Sequence, residues 1–144
     1  MKKGLFLLVL PVFFSFVALS PVSLEWSLLY ETNWEQRSDE TNNQNLWVPE
    51  FSKKLSSLNG KEVKLTGYLS VDALGRTILT QFKRNPKSEK DRSAEAPDYV
   101  YLNGLDDSTY YAELKKYTVK GVLQLNSSEV ELPAFNLWQP ELVK

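Results

Sequence analysis

The chain has 144 residues, with 17 basic and 18 acidic side chains and a formal charge of −1, so it has room for one domain and no basic excess with which to neutralise a phosphate backbone. It contains neither cysteine nor histidine, which excludes disulfides, zinc sites built on thiolate or imidazole, thiol redox chemistry and Ser-His-Asp or Cys-His catalysis. Aromatics at 12% and charged residues at 24% are the balance of a folded domain, not of a disordered chain.

Met1-Lys2-Lys3 followed by the apolar run Gly4–Leu19 and the small residues Ala18-Leu19-Ser20 has the form of a secretory signal, so residues 1–20 are expected to direct export to the periplasm or the exterior. Pro21 follows the expected cut and disfavours it. Left uncut, residues 4–24 would be long enough to hold the chain at a membrane, and membrane contact is expected only in that case. Residues 21–48 read as an N-terminal arm and loop: Leu24–Trp34 as a strand or extended arm with Tyr30, Thr32 and Trp34 on one side, and Glu35–Asn45 as a polar loop.

The third expected segment, residues 49–144, begins with a short helix over Pro49–Leu58. Proline opens it, Asn59-Gly60 stops it, and Phe51, Leu55 and Leu58 share one face. Lys61–Val71 alternates as a strand, with Val63, Leu65, Gly67 and Leu69 on one side and Glu62, Lys64, Thr66 and Tyr68 on the other. A turn over Asp72–Gly75 leads to a second strand, Arg76–Phe82, with Ile78, Thr80 and Phe82 on one side. Lys83–Pro97 is a long polar loop, and Tyr99–Leu102 a third strand ending near Asn103-Gly104. Asp106–Lys116 carries the charge pattern of a helix, acidic at its start and basic at its end. Tyr117–Leu125 and Val130–Trp138 complete the strands, with Pro133 marking an edge or a bulge.

The first and fourth strands repeat one pattern, each with a glycine third in its inward series, Gly67 and Gly121. Glycine inside a strand weakens packing, so two in matching places point to sites where a sheet bends over itself. With three strands, a helix and two more strands, the chain is expected to be all-β or α+β: a five-stranded OB-like barrel with a helix between strands three and four and an extra N-terminal helix. A generic α+β domain with the same elements is the competing reading.

Trp26, Pro49-Glu-Phe51-Ser and Leu55-x-x-Leu58-Asn-Gly60-Lys-Glu-Val63-x-Leu65-x-Gly67-Tyr68-Leu69 together resemble a group of small exported bacterial proteins with an OB-fold-like domain. The resemblance covers Trp26–Leu69 and continues beyond it only in element order. In those relatives, cysteines after the second strand imply a metal or redox role. Here the matching stretch is the cysteine-free Lys83–Pro97, so the role does not carry over, and no cofactor or metal is expected.

Carboxylates are the acid–base groups that remain. Glu129 with Glu131, and Asp106 with Asp107, are sequence neighbours at a turn and a helix start. A glycosidase instead needs two carboxyls facing each other across a cleft. Asp72 and the Asp106-Asp107 pair lack the spacing of a calcium loop. Outward aromatics are the remaining candidates: Tyr68, Tyr99 and Tyr101, flanked by Arg76 and Lys83, on the face where barrels of this kind bind oligomers. The expectation is an exported, non-enzymatic binding or interaction module of the cell envelope. Its partner would be an envelope protein or an oligosaccharide, with no nucleic acid. A carboxylate-dependent glycan hydrolase and a structural subunit of a membrane-associated complex are the alternatives.

Overall fold

The computed structural model describes residues 20–39, 44–72, 74–82, 99–105, 115–127 and 133–144. In chain order they form β1 (Val22–Ser23), α1 (Trp26–Tyr30), β2 (Asn33–Asp39), β3 (Gln44–Glu50), α2 (Lys53–Ser56), β4 (Glu62–Val71), β5 (Thr77–Thr80), β6 (Tyr99–Asn103), β7 (Lys116–Leu125) and β8 (Phe135–Leu142). The signal sequence expected before Ser20, the loop expected over Lys83–Pro97, the helix expected from Asp106 and the start of the strand expected from Val130 lie outside the described residues.

Alternation in β4 and β7 fixes the interior. Val63, Leu65 and Leu69 on one strand and Val119 and Leu123 on the other are all buried, and the intervening side chains face out. Strands β4, β5, β6, β8 and β7 pair in that order, and β7 pairs again with β4, closing a five-stranded barrel. All pairs are antiparallel except β6 with β8, which is the connectivity of an OB-fold. Leu79, Val100, Leu102, Phe135 and Leu137 complete the packed centre.

Closure depends on the two inward glycines. β4 pairs with β7 through Tyr68 and with β5 from Tyr68 onward, so it changes partner beside Gly67. A Cβ at Gly67 would stand 2.5 Å from the Thr80 carbonyl oxygen, closer than any side chain tolerates. Gly121 faces a bulge: Lys120 pairs with Glu141 and Val122 with Trp138, so this one residue opposes both Gln139 and Pro140. A Cβ there would meet the Trp138 carbonyl oxygen at 3.1 Å. The bulge expected at Pro133 is therefore at Pro140. Pro133 lies ahead of β8, which runs four residues past the expected end at Trp138.

Several local expectations are corrected. Trp26–Tyr30 is a helical turn, not an extended arm, because it buries Trp26, Leu28 and Leu29 together against the barrel. Glu35–Asn45 contributes to a hairpin, β2 with β3, paired from Asn33–Glu50 to Asp39–Gln44. A two-stranded ribbon with solvent on both faces needs no apolar alternation, so its sequence reads as a loop. Pro49 belongs to β3, opposite Trp34, and the second helix starts only at Lys53, where the Ser52 hydroxyl caps the Leu55 N–H at 3.2 Å. Leu55 is fully buried, and Phe51 meets Phe135 edge to face with centroids 5.7 Å apart. In β5 Ile78 and Thr80 share one side, as expected, and Leu79 on the other side enters the central cluster, all three being buried.

The N-terminal segment is part of the same core. β5 reaches only Tyr68–Val71 of β4, leaving the earlier half of that edge for other partners. β1 pairs there in parallel, the Leu24 N–H donates to the Lys64 carbonyl at 2.8 Å, and the Trp26 indole N–H donates to the Thr66 carbonyl at 2.8 Å. Backbone acceptors that β5 is too short to reach are thereby satisfied.

Candidate functional site

Strand register determines which side chains share the outer wall. Tyr68, Thr80 and Tyr99 form one row across β4, β5 and β6; Ser70, Ile78, Tyr101, Asn136 and Gln124 form the next, which continues over β8 and β7. Asn103, Trp138 and Val122 form a third. Tyr68, Tyr99 and Tyr101 therefore occupy one face, each half-buried. Between them Ile78 and Thr80 are 0% and 1% exposed, so among the described residues the wall is filled at β5 and opens toward β6 and β8. Of the residues singled out from sequence, Lys83, Asp106, Asp107, Glu129 and Glu131 lie outside the described residues.

Arg76 is held in place from the turn before β5. Asp72 Oδ1 accepts the N–H groups of Leu74 and Arg76 at 2.9 and 2.8 Å, and Oδ2 accepts Nε of Arg76 at 2.6 Å. Burial pushes the Asp72 carboxyl up, but the hydrogen bonds from Arg76 and Leu74, with the Arg76 charge, outweigh it and hold the group below its usual range. The guanidinium so fixed stacks over Tyr101, 5.2 Å from the ring centroid. Arg76 thus positions Tyr101. Lys116, the partner of Tyr68 in the β4–β7 ladder, lies over the Tyr68 ring at 5.5 Å.

Next to Tyr101 the wall becomes a groove of about 490 Å³, lined by Asn103, Gly104, Trp138, Gln139, Pro140 and Glu141. Trp138 is 43% exposed. The bulge that Gly121 admits aims this region: Gln139 is held at φ 49, and it and Trp138 both turn outward. Asn136, in the rung beside Tyr101, keeps a buried Oδ1 with no hydrogen-bond partner among the described residues. One aromatic face and two amides, Asn103 and Gln139, converge in the groove. Glu141 is the groove's one acidic lining residue, and it is bound to Lys120 at 2.9 Å.

Sequence reasoning missed Trp138, Asn136 and Gln139. The available signal was Trp-Gln-Pro140, since a proline inside a strand marks a bulge. No group of three or more metal-ligating side chains occurs among the described residues, and no described helix is long and apolar enough to cross a membrane. Comparison with models of protein families, with curated proteins and with solved structures finds no match.

Proposed function

We propose that the chain is an exported, non-catalytic binding module of the bacterial cell envelope that receives an oligosaccharide on the outer wall of β6 and β8. The reading rests on Trp138, a half-exposed indole beside a groove otherwise lined by amides, a proline and one carboxylate. A sugar ring offers an apolar face to stack on an indole and equatorial hydroxyls for Asn, Gln and Glu side chains. The apolar N-terminal run supports export.

The same groove gives little support to a glycan hydrolase. Hydrolysis requires two carboxyls about 5–10 Å apart in different environments. Glu141 is committed to Lys120, and Asp72 is committed to the turn that fixes Arg76.

Calorimetric titration of the purified chain with a panel of soluble oligosaccharides tests the reading. Trp138→Ala should weaken the best binder about tenfold or more, as loss of a stacking aromatic does. A panel that binds Trp138→Ala and the parent chain equally well would place the ligand elsewhere.

A further inference from the structure

The outer face of the β4–β7 ladder carries a second pattern, which the groove does not use. Three successive same-face rungs are Lys64 with Lys120, Thr66 with Thr118, and Tyr68 with Lys116. Two lysines directly opposite each other repel, and such a pair is unfavourable in a ladder unless an anion lies between them. Lys120 is neutralised by Glu141, while Lys64 and Lys116 enter no ion pair with a described residue. Between them the Thr66 and Thr118 hydroxyls are hydrogen-bonded at 2.7 Å. One hydroxyl donates in that bond, so the accepting hydroxyl keeps its own proton for an outside acceptor. Same-face rungs are about 7 Å apart, so lysine side chains from either flanking rung reach an anion seated over the threonines.

We propose that this strip binds the carboxylate of an acidic glycan, and that the ligand of the groove is therefore an acidic oligosaccharide; the inference rests on the reading of Trp138 given above. The two surfaces are continuous. Val122 of β7 lies opposite Trp138 on one side and Glu62 on the other, and Lys120 lies between Glu141 and Lys64. A chain crossing the strands from Trp138 passes over Val122 toward Glu62, and the first lysines lie in the adjoining rung, Glu141–Lys120–Lys64. Charge density selects the polymer class. The strip holds two lysines that enter no ion pair with a described residue, one of them (Lys116) lying over the Tyr68 ring; Glu62 and Glu141 border it, and the whole chain carries −1, an arrangement that repels a phosphate on every unit and suits widely spaced carboxylates.

The test compares a hyaluronan oligomer, whose carboxylates lie on alternate sugars, with a neutral chitin oligomer of equal length, titrated into the parent chain, into Lys64→Gln/Lys116→Gln and into Trp138→Ala, with circular dichroism to show that the variants are folded. The acidic oligomer should bind the parent chain about tenfold more tightly at low salt. That preference should vanish in the double lysine variant and in 0.5 M salt (about 4 Å of screening length), with neutral binding unchanged. Equal binding of both oligomers, unaffected by the lysine changes, overturns the strip and leaves the groove standing. Acidic binding that needs the lysines but not Trp138 overturns the groove alone, and absence of binding by either oligomer overturns both.

Discussion

Single side chains carry much of this fold. Trp26 supplies the indole N–H for the Thr66 carbonyl on the edge of β4 that β5 does not reach, and it is 8% exposed. Trp26→Phe keeps most of the packing but strands that acceptor, a loss of about 1–3 kcal/mol readable in urea denaturation. The two inward glycines differ in how closely backbone approaches them. Gly67→Ala drives a methyl into the Thr80 carbonyl and should cost about 3 kcal/mol or more, whereas Gly121→Ala meets its neighbours at 3.1–3.3 Å and should cost less. Equal costs would contradict the assignment of Gly67 to the point where β4 changes partner. Asp72 gives the acid limb of stability a definite sign. Its folded carboxyl titrates below the unfolded one, so its contribution is complete above the unfolded value near 4 and is lost as pH falls through the lower folded value. Asp72→Asn should therefore lose about 1–2 kcal/mol at neutral pH, discounted for the partly exposed Arg76, and the gap to the parent chain should close on acidification.

At the scale of elements, the ribbon β2–β3 and the segment β1–α1 make opposite predictions. The ribbon's strands pair only with each other, so replacing Arg37–Leu46 by an Asn-Gly turn between Gln36 and Trp47 should leave the barrel folded with its denaturation midpoint nearly unchanged. Removing residues through Tyr30 takes Leu24, Trp26, Leu28 and Leu29 from the core, and that shortened chain should fail to give a cooperative transition. The same contrast explains what the sequence made legible. Strands β4 and β7 alternate because one face of each fills the barrel, and their glycines stand out because nothing else explains a missing side chain there. The ribbon was illegible because neither of its faces is buried enough to demand a pattern, and α1 because five residues are too few to display a helical period. Tyr68, Tyr99 and Tyr101 were legible as outward residues, while Trp138 was not. Its role depends on pairing with Asn103 across a parallel rung and on a bulge opposite Gly121, and both arise only from the closed topology.

At the scale of the whole molecule, the barrel is closed by residues that leave its outer wall free to differ around its circumference. The wall is filled at β5, grooved and aromatic at β6 and β8, and lysine-bearing where β7 meets β4. A binding module needs one such continuous region, and the central claim is that Trp138 lies at its middle. The four tryptophans make that claim directly measurable. Trp26 is buried and hydrogen-bonded, Trp34 is half-buried at the base of the ribbon, Trp47 is 61% exposed on it, and only Trp138 lies in the groove. In a ¹⁵N–¹H spectrum of the chain titrated with its tightest-binding oligosaccharide, the indole signal of Trp138 should shift while the other three stay in place. A shift at Trp47 with Trp138 unmoved would contradict the account and put the ligand on the ribbon.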